Sequence, residues 1–424
     1  MADTPSDEQI VAAVAEGEAE MEALLSDLVR ARPVFGAEAD GQDVMRRAFA
    51  GLGLDPVDVP LDPAALRASP AASPFSWEVA GKASVIARWP PGGDGGRSLI
   101  LNGHVDVVSP EPVALWSVDP WTPTRDGEWM YGRGAGDMKA GLAAIVGAVA
   151  GLRRLGLAPC APVELQSVVE EECTGNGAVA CLLAGSRADA AVLTEPTAGQ
   201  IWNAQVGVLW FSVRVAGTPA HAAYASSGDN AIEATYAVVR ALRALEEELN
   251  AAPPPPFDAV EHPINLNVGT IRGGDWPSTV AGECVTECRL ACYPGERVAD
   301  LRARVEETVA AAARDDAFLA RCEVDVRYDG FACEGYELPG GPLIDAVGDA
   351  AERVSGARPR LVASTATTDA RTFHLYGDTP AICFGPRAER IHSIDERVHL
   401  PSMLSTAQAV ALFVRDWCGV TSSG

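Results

Sequence analysis

The sequence is short of positive charge: 33 lysines and arginines stand against 58 acids, for a formal net charge of −25. A chain that acidic repels phosphate backbones, which argues against a nucleic-acid binder. It also lacks a charge-free run of about 18 apolar residues, so no membrane span is expected. It has no CxxC pair, and ten cysteines in 424 residues are too sparse for a secreted disulfide scaffold. Cys284, Cys288 and Cys292 are spaced by four, which shares one face of a helix or of a strand. The neighbouring Val285 and Thr286 favour a strand, with the thiols as small buried hydrophobes rather than a zinc cluster. The start, Met1-Ala2-Asp3-Thr4-Pro5-Ser6-Asp7-Glu8, lacks the basic and then apolar character of a secretory signal, so a cytoplasmic location is expected.

What is present is a globular composition. Apolar residues make up 48%, enough for a sizeable core, and the length exceeds what one core usually serves. Helical periodicity is expected over residues 8–31 and 138–154, with strands at Ala83–Trp89, 98–102, 163–169 and 190–194. Strands alternating with helices imply a mostly parallel sheet. After about residue 207 the texture changes. Strands at 208–215, 264–271, 281–293 and 322–328 alternate with helices near 231–250 and 297–314, as in a small inserted α+β domain. A helix at 342–355, a strand at 381–384 and a helix at 402–417 return to the first pattern. The expected class is therefore α/β: a mostly parallel catalytic domain from 1–207 and 329–424, with an insert at 208–328.

Five motifs carry chemistry. Asn102-Gly103-His104-Val105-Asp106 closes an apolar strand, and ligands in open α/β sheets gather at such ends. Gly132-Arg133-Gly134-Ala135-Gly136-Asp137 is a glycine-rich turn leading to an acid. It is not a dinucleotide loop, because Asp137 stands where the third glycine belongs. Glu170-Glu171-Glu172 ends another strand, and three adjacent carboxylates repel one another unless cations neutralise them. Leu193-Thr194-Glu195 closes a third strand, and Ile391-His392-Ser393-Ile394-Asp395-Glu396 follows a fourth. Each has a plain structural role open to it. Together they place two histidines and at least three carboxylates on one sheet edge, which suits zinc, cobalt or manganese, with donors enough for two ions.

The order GHxD, GRGxxDMK, EE followed by a glycine turn, EPT and HSxDE resembles the metal-dependent amidohydrolases and exopeptidases. That family (peptidase M20) includes acetylornithine deacetylase, succinyl-diaminopimelate desuccinylase, aminoacylase-1 and carboxypeptidase G2. The resemblance spans about residues 80–400. It implies a di-metal hydrolase that cleaves the amide of an N-acyl amino acid, with a dipeptidase or carboxypeptidase as the alternative. A non-catalytic protein keeping the fold is a further alternative, which the presence of Glu171 and of every expected metal ligand disfavours. The resemblance implies that His104 and Glu195 hold one divalent cation and Glu172 and His392 the other, zinc first, with Asp137 bridging. Asp106 would hold the imidazole of His104, and Glu171 would be the general base. A one-residue slip would make Glu170 the base and Glu171 the ligand. The insert would be a lid and dimerisation unit. There, His221 reaches across a homodimer to the scissile carbonyl, Ser278 stands where an asparagine is usual, and Arg289 holds the substrate carboxylate. Asp369 lies in a further site-lining segment. Arg387, in place of a glycine, could select an acidic group or alter its loop.

Overall fold

The computed structural model describes residues 5–422, so the first four residues of the acidic start lie outside the described residues. The largest element is a nine-stranded mixed sheet. Val163–Val168, Leu99–His104, Ala191–Leu193 and Ala381–Cys383 run parallel at its centre. Antiparallel neighbours flank them: Ala83–Trp89 and Pro56–Pro60 on one side, Ile201–Gln205 and Tyr336–Glu337 on the other. Leu361–Ser364 adds a parallel partner to Ile201–Gln205. The parallel order is thus kept where the motifs lie, with antiparallel strands next to it on both sides. Every residue of Leu99–His104 and of Val163–Val168 is buried, the polar Asn102, Glu164, Gln166 and Ser167 included, because central parallel strands are covered on both faces. Burying each of Leu99, Ile100 and Leu101 contributes about 1.5–3 kcal/mol.

Helices cover this sheet. Ala140–Arg154 packs on Leu99–His104 and against Asp7–Ala15, Glu18–Arg30 and Leu400–Cys418. The stretch Ala135–Arg154 is long and apolar enough to cross a membrane, but 83% of its apolar window is buried inside the protein, and it serves as a core helix. The helix expected over 8–31 is two helices, Asp7–Ala15 and Glu18–Arg30, which break beside Gly17. Glycine weakens a helix interior, and a Cβ there would lie 3.1 Å from the guanidinium of Arg154.

The insert has its own core. Leu266–Gly273, Glu283–Cys292, Gly207–Ala216 and Glu323–Arg327 form an antiparallel sheet in that order. Ala231–Leu249 and Val298–Asp315 pack on it. Cys284, Cys288 and Cys292 are buried on one face of Glu283–Cys292, among leucines and valines. A third, four-stranded sheet joins Thr124–Asp126, Trp129–Tyr131, Arg397–His399 and Ala388–Glu389. It was not expected from the sequence, because its strands are two or three residues long. It matters for position: pairing Arg397 with Tyr131 brings the segment of His392 beside the turn that carries Asp137.

Candidate active site

His104 is the last residue of its strand, and its Nδ1 lies 2.9 Å from the carbonyl oxygen of Asp106. An Nδ1–H donated there leaves Nε2 facing the sheet edge, 3.2 Å from Asp137 Oδ1, 3.9 Å from Glu171 Oε2 and 4.0 Å from Glu195 Oε2. His392, at a positive φ of 57°, turns its Nε2 to within 3.0 Å of Glu172 Oε2 and 3.5 Å of Asp137 Oδ2. Asp137 therefore offers one oxygen to each imidazole.

The turn that presents Asp137 is held from behind. Gly134 has φ +74°, and a Cβ there would lie 2.3 Å from Val107 Cγ1, so only glycine fits. Glu396, wholly buried, accepts from the backbone N–H groups of Gly134 (2.9 Å), Gly136 (2.9 Å) and Asp137 (3.0 Å) and from Arg133 Nη1 (2.6 Å). Glu396 had no role in the sequence reading, although it closes the HSxDE motif. Its place four residues after His392 in the same short motif was the available signal.

Charge crowding is severe here. Burial raises Glu171 and Glu195 well above the ordinary carboxylate range; His104 partly opposes this, and neighbouring acids add to it. Burial works against the protonated His104, but its hydrogen bond to Asp137 and the carboxylates around it hold it well above its ordinary value. His392 is pushed up to about 11: burial opposes the shift, and Glu172 and Asp137 outweigh it. Two imidazoles and four carboxylates this close concentrate negative charge that an added cation would neutralise. Ligand atoms of His104, Asp137 and Glu172 lie within 4.8 Å of one another. This mixed nitrogen and oxygen donor set fits divalent zinc, cobalt or manganese, and the donor count fits two ions.

The register within the acid run is legible from the packing. Glu170 is fully buried and points away from both histidines, toward Lys82 and Trp77. Glu171 and Glu172 face them. Asp106 differs from its expected role: its carboxylate accepts the backbone N–H groups of Glu171 (3.3 Å) and Glu172 (3.1 Å), and its Oδ1 stays 3.8 Å from His104 Nδ1. The carbonyl, rather than the carboxylate, holds the imidazole. Burial pushes the Asp106 carboxyl up to about 7, against the pull of His104.

The remaining expected residues separate into four groups. His221 and Ser278 lie together on exposed loops of the insert, where Ala222 N–H donates to the Ser278 carbonyl at 2.9 Å. The His221 ring accepts from Ala223 N–H at 3.0 Å, and among the described residues it makes no hydrogen bond or ion pair with the cluster. Arg289 reaches out of the insert, and its Nη2 donates to the Thr365 carbonyl at 3.3 Å. It has no carboxylate partner among the described residues. Asp369 is 1% exposed, and neither carboxylate oxygen has a hydrogen-bond partner. Burial pushes it up to about 6, tempered by Arg371. Arg387 is exposed: its guanidinium lies 5.0 Å from the Trp129 ring centre and pairs with Glu389, which favours the loop alternative over a contact to substrate.

Comparison with known proteins agrees with this geometry. The description Peptidase family M20/M25/M40 matches residues 100–416. The succinyl-diaminopimelate desuccinylase of Paracoccus denitrificans (strain Pd 1222) is 30% identical over 331 residues, covering 75% of this chain and 82% of that protein. The N-formyl-4-amino-5-aminomethyl-2-methylpyrimidine deformylase of Bacillus subtilis (strain 168) is 27% identical over 342 residues, covering 76% and 79%. The solved structure of the di-peptidase Dug1p from Saccharomyces cerevisiae shares the fold, with a TM-score of 0.80 at 13% identity over 97% of this chain and 98% of that one. The matched stretch runs from the strand of His104 into the last helix, and the chain belongs to peptidase family M20/M25/M40, whose members are metal-dependent hydrolases.

Proposed function

We propose that this protein hydrolyses the amide bond of an N-acyl amino acid, in the manner of acetylornithine deacetylase. The observation that carries the reading is Glu171. It is a buried carboxylate 3.9 Å from His104 Nε2, beside the cluster, and burial raises its proton affinity. That is the state a general base needs in order to hold a proton near neutral pH.

His104 and Glu195 would hold one divalent cation, and Glu172 and His392 the other, with Asp137 between them. Zinc suits the donors best, and cobalt or manganese also fit. Such ions supply Lewis acidity toward a carbonyl and lower the pKa of water. Glu171 Oε2 takes the proton from the attacking water and returns it to the leaving amine nitrogen. Asp106 fixes the backbone from which Glu171 and Glu172 project. Arg289 offers a two-nitrogen fork for the substrate carboxylate. Asp369 supplies an unpaired buried carboxylate behind the cluster, and Ser278 lines the lid loop. The names of the two relatives, a desuccinylase and a deformylase, support acyl removal.

The same reading makes the insert a lid and a dimer contact. His221 would reach the scissile carbonyl of a second copy, where a donor stabilises the oxyanion. Supporting this, Leu266–Gly273 is an edge strand, and Tyr224 and Trp276 beside His221 are 71% and 68% exposed. The ten free cysteines suit the cytoplasm. The test is amine release from a panel of N-acyl amino acids and dipeptides by the zinc- or cobalt-loaded protein, with and without chelator. Chelator-sensitive release from N-acyl amino acids is expected. Release from dipeptides alone would move the reading to a peptidase, and no release from any member would overturn it.

A further inference from the structure

Three consecutive acids end one strand, yet each has a different destination. Glu171 faces His104, and Glu172 faces His392 at 3.0 Å. Glu170 turns inward with a backbone φ of 59°, in the left-handed region that disfavours residues other than glycine. Something must hold it there, and the structure shows what does. Lys82 Nζ lies 2.8 Å from Glu170 Oε1, Trp77 Nε1 donates to the same oxygen at 2.9 Å, and Thr174 Oγ1 donates to Oε2 at 2.9 Å. Lys82 is itself fixed by Glu38 at 2.9 Å and lies over the Phe35 ring at 4.3 Å. The Glu170 carbonyl meanwhile accepts from Thr174 and Gly175 N–H, which closes the turn.

We infer that Glu170, pinned by Lys82 and Trp77, is a positioning residue that decides which of the next two carboxylates faces which histidine. The physical reason is spacing. Residues 171 and 172 are adjacent on one tight turn, and either carboxylate is chemically able to ligate a cation. The Asp106 carboxylate holds both of their N–H groups but does not distinguish their side chains. The anchored side chain and positive φ of Glu170 set the rotation of the turn, and thereby leave Glu171 free as a base while Glu172 becomes a ligand. This inference rests on reading the cluster as a hydrolytic metal site.

The test uses full-length Glu170→Gln and Lys82→Met, with Trp77→Phe as a milder variant that removes a single donor. Each is loaded with cobalt and compared with wild type in metal content, visible d–d absorption, and kcat and KM on whichever substrate wild type accepts. The expected result is unchanged metal content, a shifted cobalt spectrum, and a kcat lowered about 10–100-fold with KM within about threefold. Lys82→Arg, which keeps the charge and the donors, is expected to restore most of kcat. A wild-type spectrum and kcat in Trp77→Phe and Lys82→Met would overturn the inference, as would a kcat loss that follows metal loss alone and is not rescued by Lys82→Arg. If wild type is inactive on the whole panel, the functional reading fails by itself, and the cobalt spectra still decide this one.

Discussion

On the large sheet, His104, Glu171 and Glu195 lie at or just beyond strand ends and are almost wholly buried, each with named neighbours on several sides. On the insert, His221 and Ser278 lie on exposed loops, which are linked by backbone hydrogen bonds such as Ala222 N–H to the Ser278 carbonyl. The two halves follow different physics. Buried polar groups lose water, so their positions are set by the protein groups packed around them. Exposed loop groups keep water as a partner and acquire a fixed place only when something closes on them. The sheet edge thus holds its candidate residues in place, and in the proposed function the insert would complete the site only through a lid movement or a second copy.

The sharpest break of this comparison is at the sheet edge. Glu171→Gln is expected to lower kcat by about 10³–10⁴-fold while both metals stay bound, measured by single-turnover amine release beside metal analysis. Retained activity would remove the base from the sheet edge. Next comes the insert. His221→Ala is expected to cost about 10²–10³-fold in kcat. Mixing it with Glu171→Gln subunits is expected to regain activity, because one hybrid site then holds both an intact base and an intact histidine. No regain on mixing would place His221 in its own subunit's site.

A smaller, graded effect comes from pH. Glu171 and Glu195 have folded-state pKa values above their ordinary ones, as do His104 and His392, the last at about 11. The metal-free fold therefore holds protons that the unfolded chain releases. The carboxyls' contribution is full below about pH 4.5 and the histidines' below about pH 6.5, and both are lost as pH rises through the raised values. Metal binding needs the deprotonated groups, so the rise in Tm on adding zinc to chelated protein is expected to grow from pH 5 to pH 8. Differential scanning fluorimetry at fixed metal checks this, and a gain that shrinks with pH would contradict the sign. The smallest effect is expected at Arg387→Ala, with kcat/KM within about twofold of wild type, because its guanidinium is spent on Trp129 and Glu389. A large change would return Arg387 to the pocket.

Much of the fold was legible because its signals are local. Apolar runs such as Ser98–Asn102 and the Ala-rich stretch after Asp137 locate central strands and a core helix directly. Short elements were not legible. Asn176–Leu183 follows a glycine turn and spans only two turns of helix, and the strands around Trp129 and Arg397 are too short for any periodicity. The candidate ligands could be singled out from motif order, yet the anchoring by Glu396 and Lys82 could not, beyond the place of Glu396 in the HSxDE motif. Their partners lie about 260 residues away for Glu396 and 88 for Lys82, and a buried ion pair leaves no local pattern.

The sequence by itself determined which residues are able to do the chemistry, because ligand type and strand-end position follow from side-chain chemistry and hydrophobic pattern. Tertiary structure decided how they are used. It turned Glu170 inward to Lys82, gave the Asp106 carboxylate to the backbone of Glu171 and Glu172, and drew Arg387 onto Trp129. These are choices among partners brought together by folding, and a side chain's partner is fixed by what lies within about 3 Å of it in space, whatever its distance along the chain.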